Sequence, residues 1–231
     1  MKKLVIIPAR SGSKRLPNKN LKLLGSKPLI MHSVDIARKI FNDNEICIST
    51  DSTKIKAVVE KSGLNVPFLR PQELAQDTSS TEEVLIHALN WYKNNGYEPD
   101  MIILLQPTSP FRQLKDINNA IAKFSKSIDM VVSVKKGKAN PYFNLYEEDN
   151  SGFLKKSKKS TFERSQDCPE VWEFNGSIYI INVANLKIKS FSNFNKIIKY
   201  DIDDPIYSLD IDTEYDWLIA NAIIQEKYGN S

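Results

Sequence analysis

The chain has 231 residues, 41% hydrophobic and 26% charged, with a formal net charge of +4, which excludes a mainly disordered protein. That length suffices for one large domain or two small ones around an ordinary core. No apolar run reaches the roughly 18 residues of a membrane-spanning helix. Two cysteines, Cys47 and Cys168, stand far apart with no CxxC or Cys/His cluster, which argues against a disulfide framework and against structural zinc.

In chain order, MKKLVIIPAR opens basic and apolar, but its apolar stretch stops at Pro8. A secretory leader needs an apolar core of about 7–15 residues. Leu4–Ile7 therefore reads as a buried strand, and the protein is expected to be cytoplasmic. Pro28 opens a helix with Ile30, Val34, Ala37 and Phe41 at helical spacing. Glu45–Ser49 predicts a strand, Thr53–Ser62 a helix, and Val66–Leu69 a short third strand. Ser80–Asn94 predicts a helix whose serine start and early glutamates suit its positive end. Met101–Leu105 and Met130–Val134 predict strands flanking a helix over Leu114–Ser125. This alternation implies a Rossmann-like α/β/α fold, a mainly parallel sheet with helices on both faces. The rhythm breaks over 135–172, which reads as an inserted, partly extended arm within a single domain. Ser177–Ile181 resumes as a strand. The last helix carries Tyr215, Leu218, Ile219, Ala222 and Ile223 on one expected buried face.

Segment 151–164 accounts for the whole positive excess. A nucleic-acid groove needs basic residues distributed over a face with interleaved aromatics, so this single cluster reads as a solvated loop, with attraction for an acidic small molecule as the weaker reading. His32 and His87 both fall in helix-like segments and read as structural.

Four segments carry chemistry. IPARSGSKRLPNKN, residues 7–20, follows the first strand and crowds Arg10, Lys14, Arg15 and Lys19 around Gly12 and two serines. Ligands of open α/β sheets bind beyond the carboxyl ends of strands, and a small-residue loop there offers N–H groups to phosphate oxygens. The sequence is neither a Walker A loop nor GxGxxG. In SLDIDTEYDW, residues 208–217, Asp210 and Asp212 share a face if extended, with Ile211 directed to the core. Two adjacent carboxylates repel unless a cation joins them, and their hard oxygens suit Mg²⁺. Capping of the last helix by Asp212 or Thr213 accounts for one acidic residue but not the pair. LLQPTSPFR, residues 104–112, offers Gln106, Thr108, Ser109 and Arg112 for ligand hydrogen bonds. LRPQELAQDTSSTEE, residues 69–83, places Arg70 to meet a base or phosphate, or else Glu73 or Asp77.

Together with NGSIYI at 175–180, these segments resemble the acylneuraminate cytidylyltransferases, the CMP-sialic acid synthetases and their legionaminic-acid relatives. The likeness runs in order along nearly the full chain. It implies transfer of CMP from CTP to the anomeric hydroxyl of a nonulosonic acid, with Mg²⁺ and release of pyrophosphate. It implies that Arg10, Ser13, Lys14 and Lys19 hold the triphosphate, with Lys19 facing the α-phosphate. Asn20, Arg70 and Thr81 would contact the cytidine part, and Asp210 and Asp212 the metal. Gln106 and Tyr179 would line the acceptor pocket. It further implies a homodimer in which the arm reaches the partner's site, so that Arg164 meets the sugar carboxylate there.

The chain departs from sialic-acid-specific members, which carry an arginine shortly before the NG(S/A)IY motif. Here Glu173 stands there, and an arm lysine is replaced near Phe143. Glutamate cannot make the bidentate carboxylate contact of arginine. The arm's NPYFNL is closer to legionaminate-type members. A CMP-KDO synthetase-like enzyme is the nearest rival. A catalytically silent nucleotide-binding module is disfavoured, because Arg10, Lys19, Asp210 and Asp212 are all present.

Overall fold

The computed structural model describes residues 1–228. The first half contains β1 (Lys3–Pro8), the two-residue strands β2 (Leu23–Leu24) and β3 (Lys27–Pro28), α1 (Leu29–Arg38), β4 (Ile46–Ser49), α2 (Thr53–Lys61), α3 (Thr81–Asn94) and β5 (Met101–Leu105). Then follow α4 (Leu114–Ala122), β6 (Met130–Lys136), β7 (Tyr146–Glu148), β8 (Leu154–Lys156), β9 (Trp172–Asn182), α5 (Val183–Leu186), β10 (Ile197–Asp201) and α6 (Glu214–Tyr228).

Six strands form one sheet in the order β10-β6-β9-β5-β1-β4. β1 runs parallel to β4 and β5, and β10 runs parallel to β6. β9 is antiparallel to both of its neighbours, so the expected α/β fold has a mostly parallel sheet. Alternation along the strands divides the core in two. Val5, Ile7, Ile103 and Leu105 pack with Ile30 and Val34 of α1, Ile55 and Val59 of α2 and Ile117 of α4. Leu4, Ile6, Ile102 and Leu104 pack on the other face, with Leu85 and Leu89 of α3 and Leu186 of α5. Both faces are thus covered, which explains why the central strands are continuous apolar runs. Each fully buried leucine or isoleucine contributes about 1.5–3 kcal/mol of transfer free energy.

The structure corrects four expectations. Val66–Leu69 forms no strand and belongs to no sheet. Pro67 lacks an N–H, and the segment's end is tied by Arg70 N donating to the Thr50 carbonyl at 2.7 Å. β10 was not expected; its side chains are mostly exposed, so it shows little hydrophobic alternation. Several predicted helix and strand ends move by one to three residues, as the frayed ends of such elements do, and β9 begins at Trp172 rather than Ser177. Finally, α6 buries Trp217 and Ala220 against Leu16, Leu24, Leu29 and Ile211, with Ile224 alongside. Tyr215 and Leu218 face outward, 72% and 67% exposed.

Segment 135–172 leaves and re-enters the sheet at one place. Lys136 of β6 pairs in register with Trp172 of β9, and Gly137 N donates to the Val171 carbonyl at 2.9 Å. Beyond that base the chain forms the antiparallel hairpin β7–β8. Further inward, β9 bulges. Val134 pairs with Phe174 and Val132 with Tyr179, so residues 175–178 drop out of the register with β6, while Ile178 still pairs with Leu105 of β5. The Ser133 hydroxyl bridges the gap, donating to Asn175 Oδ1 at 2.6 Å and accepting from Ile178 N at 2.8 Å. Among the described residues, no helix is long and apolar enough to cross a membrane.

Candidate active site

A cleft of about 600 Å³ opens beyond the carboxyl ends of β1 and β5. Its lining includes Arg10, Ser13, Lys14, Lys19 and Asn20 from the loop after β1. Arg70 and Thr81 come from the 70–81 segment, Gln106 and Thr108 from the loop after β5, and Asp212 from the turn before α6. The topology explains the gathering, because parallel strands deliver successive loops to one sheet edge.

The loop after β1 turns at Asn18, which adopts a left-handed conformation with φ 55°. This turn drives Lys19 inward. Its Nζ donates to the Ile211 carbonyl at 2.7 Å and to Asp212 Oδ1 at 2.8 Å. Asn20 Nδ2 donates to the Arg10 carbonyl at 3.0 Å and ties the loop onto itself. Arg10 Nη2 and Lys14 Nζ reach across the cleft mouth to Asp77, at 2.7 and 2.5 Å.

Arg70 is buried beside Asp51 at 3.8 Å, and its Nε and Nη2 have no hydrogen-bond partner among the described residues. Burial pulls the Arg70 pKa down, with the Asp51 charge opposing. Asp51 is held by Ser11 N at 2.9 Å. Glu73 and Asp77, the partners the sequence offered for Arg70, are not its ion-pair partners. Thr81 begins α3, where Ser80 and Glu83 form a reciprocal capping box, so the positive end of that helix faces the cleft.

The two aspartates differ. Asp212 is exposed and faces Lys19. Asp210 is part-buried, and its Oδ1 is enclosed without a hydrogen-bond partner among the described residues. Burial pushes the Asp210 pKa above the usual carboxylate range, the Asp212 charge adds to this, and Thr108 and Lys19 oppose it. The carboxylate lies against the β9 bulge. A Cβ on Gly176, which has φ +74°, would sit 3.0 Å from Asp210 Oδ2 and 3.5 Å from Gln106 Oε1. Ile211 between them is fully buried, and its N–H donates to the Thr108 carbonyl at 2.8 Å. α6 is capped by Thr213, whose Oγ1 accepts from Asp216 N at 3.2 Å while Asp216 Oδ2 accepts from Thr213 N at 2.8 Å. Capping therefore occupies neither Asp210 nor Asp212.

Tyr179 lies on β9, its ring edge-to-face with Phe174 at 6.2 Å. Burial pushes its phenol pKa up, and the nearby Asp210 charge adds to that shift. Arg164 lies on the inserted segment, exposed and paired with Asp167 at 2.8 Å, outside the cleft of its own chain. Arg112 and Ser109 are corrections, because both are buried rather than available to a ligand. The Arg112 guanidinium donates to Ser33 Oγ at 2.7 Å, to Ser177 Oγ at 3.3 Å and to the Gln106 carbonyl. It fixes the loop after β5 to the β9 bulge. Sequence reasoning missed that role and the bridging position of Asp77; both depend on partners far away in the chain.

A family model described as Cytidylyltransferase matches residues 4–221. The chain is 34% identical over 226 residues to the CMP-N,N'-diacetyllegionaminic acid synthase of Legionella pneumophila, covering 97% of each. It is 33% identical over 222 residues to the N-acylneuraminate cytidylyltransferase of Streptococcus agalactiae serotype V, covering 94% of this chain and 52% of that one. A solved CMP:2-keto-3-deoxy-manno-octonic acid synthetase complexed with CTP shares the fold, with a TM-score of 0.72 at 18% identity, covering 98% of this chain and 100% of that chain. With its cleft at the carboxyl edge of the sheet and this match along nearly its whole length, the chain belongs to the cytidylyltransferase family and is a nucleotidyltransferase.

Proposed function

We propose that this chain transfers CMP from CTP to the anomeric hydroxyl of a nonulosonic acid of the legionaminic or sialic type. The hydroxyl oxygen bonds to the α-phosphorus, the bond to the leaving pyrophosphate breaks, and the hydroxyl proton passes to a carboxylate at the cleft, for which Asp212 is the candidate. The observation that carries the reading is the contact between Lys19 and Asp212, which joins the cationic opening loop to the late acidic turn at one cleft, with Asp210 behind it within reach of both charges. Support for the acceptor class comes from the relatives that cover nearly all of this chain.

In this reading Arg10, Ser13, Lys14 and Lys19 hold the triphosphate, with Lys19 facing the α-phosphate. Fixed cations there stabilise the charge that develops during transfer, and little covalent work is asked of the protein. Arg70 has two unsatisfied buried donors for the cytidine part, with Asn20 and Thr81 nearby. Gln106, which lines the cleft, and Tyr179, which lies outside the lining but near the Asp210 charge, are assigned to the acceptor side.

Asp210 and Asp212 fit a Mg²⁺ ion. An enclosed carboxylate oxygen without a partner, beside a second carboxylate, is a set of hard oxygen ligands suited to a divalent cation. Among the described residues no group of three or more His, Cys, Asp or Glu could hold a metal, so water and phosphate oxygens would complete the shell. When bound, Mg²⁺ supplies positive charge at the α-phosphate and lowers the pKa of the attacking hydroxyl.

We read the chain as one catalytic domain whose segment 135–172 serves as a dimerisation arm. The reading is supported by Phe153 and Leu154, 70% and 67% exposed at the hairpin. In a homodimer the arm would carry Arg164 to the partner's cleft.

A pyrophosphate-release assay with CTP and Mg²⁺ tests the function. Legionaminic acid, N-acetylneuraminate and KDO are offered in parallel. Release with the first two, and little with KDO, is expected. Release with KDO alone, or with none, overturns the reading.

A further inference from the structure

The ion pairs at Asp77 close the mouth of the cleft. One carboxylate oxygen takes Arg10 Nη2 at 2.7 Å and the other takes Lys14 Nζ at 2.5 Å. Hydrogen bonds from Lys14 and Arg10 hold the Asp77 pKa below the usual carboxylate range, so the group is an anion at neutral pH. The cations belong to the loop after β1 and the anion to the loop before α3, so the bridge spans two separate segments.

The Asp77 loop does not need this carboxylate for its own shape. Ser79 N donates to the Gln76 carbonyl, and Ser79 Oγ donates to the Glu73 carbonyl at 2.8 Å. Among the described residues the Asp77 side chain bonds only the two cations. On its outer side lies a second recess of about 490 Å³, which shares Arg10, Ser13, Lys14, Gln76 and Asp77 with the main cleft. The bridge therefore stands where the two recesses share their lining.

We propose that Asp77 is an internal anion that competes with the β- and γ-phosphates for Arg10 and Lys14, and so weakens the hold of the site on triphosphate and pyrophosphate while leaving monophosphate binding untouched. This rests on the assignment of those cations to the triphosphate. A ligand with several phosphoryl oxygens offers both cations stronger charge-assisted hydrogen bonds than one carboxylate does, and displaces it. CMP, whose single phosphate is directed at Lys19, leaves the bridge closed. Pyrophosphate opens it, and its departure lets Asp77 return.

The test is Asp77→Asn, which removes the charge and keeps the shape. Affinities for CTP, pyrophosphate and CMP are measured calorimetrically with Mg²⁺ and no acceptor, so that no turnover occurs. CTP and pyrophosphate should bind about three- to tenfold more tightly, the scale of partly exposed ion pairs. CMP affinity should stay unchanged, and Asp77→Glu should behave like wild type. Weaker CTP binding in Asp77→Asn would mean that Asp77 positions the cations, and overturns the proposal. Equal shifts for CMP and CTP, no shift at all, or the same behaviour in the Asn and Glu variants also overturn it. A wild-type chain that binds no CTP instead sinks the assignment of the cleft.

Discussion

Asp210 and Lys19 show how differently the polar residues of the cleft are prepared. Lys19 is satisfied within the protein, by one carbonyl and one carboxylate, whereas Asp210 keeps an enclosed oxygen without a partner among the described residues. Such an oxygen is a local cost of folding that a bound cation removes. Asp210→Asn, nearly isosteric, should therefore reduce turnover on the order of 100-fold or more while leaving the melting temperature unchanged or higher. Addition of Mg²⁺ should raise the melting temperature of wild type and not of the variant. A variant with normal turnover removes the metal assignment. Lys19→Met keeps the apolar stem and removes the charge. Its turnover should fall by a comparable factor, with a loss of about 1–2 kcal/mol of stability because the Ile211 carbonyl loses its donor. Steady-state kinetics and urea unfolding of both variants separate the two effects. The convergence of Arg10, Lys19 and Asp212 on one cleft was legible because each sits in a polar run directly beside an apolar one, which marks a loop at a sheet edge. Arg112 was read as ligand-facing because sequence displays charge but not burial. Its partners Ser33 and Ser177 come from α1 and β9, and only the folded sheet brings them together.

At the scale of elements, apolar runs located β1, β4, β5 and β6, and spacing located α1 to α4. Direction was not legible. Residues 177–181 form an apolar run that reads alike in parallel and antiparallel strands, and the inserted hairpin reverses the chain before β9 enters. The face of α6 was misread for a related reason. Two apolar stripes compete on that helix, and the one containing Trp217 and Ala220 meets the small cluster around Leu24 and Ile211. The NGS segment carried the family resemblance but was not read as a bulge, and its purpose is geometric. It brings Gly176 against the Asp210 carboxylate, where a side chain has no room. Gly176→Ala meets two penalties, a left-handed backbone costing about 1–2 kcal/mol and a methyl carbon 3.0 Å from Asp210 Oδ2. The variant should be destabilised by about that amount, and its turnover should fall further than its stability, with a raised Mg²⁺ requirement. Thermal melts and Mg²⁺ titration of the rate measure both; unaltered Mg²⁺ dependence would show that the bulge does not position Asp210.

The whole molecule carries a segment that its own cleft does not use. Arg164 lies outside that cleft, and the hairpin presents Phe153 and Leu154 to solvent. Both facts agree with the proposed dimer, in which every working site takes its cleft from one subunit and its arm from the other. This arrangement predicts complementation. Arg164→Ala spoils the arm and leaves the cleft whole, while Asp210→Asn spoils the cleft and leaves the arm whole. Each homodimer should be nearly inactive. In a mixed dimer, one of the two sites combines the intact cleft of the first chain with the intact arm of the second, and the other site combines both defects. Equal mixing with free exchange makes half the dimers mixed, so the preparation should recover roughly a quarter of the wild-type rate. Sedimentation establishes the dimer and the exchange before rates are compared. Recovery near a quarter is hard to obtain if each chain completes its own cleft, because then no pairing of the two variants contains an intact site. A monomer in solution, or exchanged dimers with no recovered rate, would leave Arg164 without a role in the reaction.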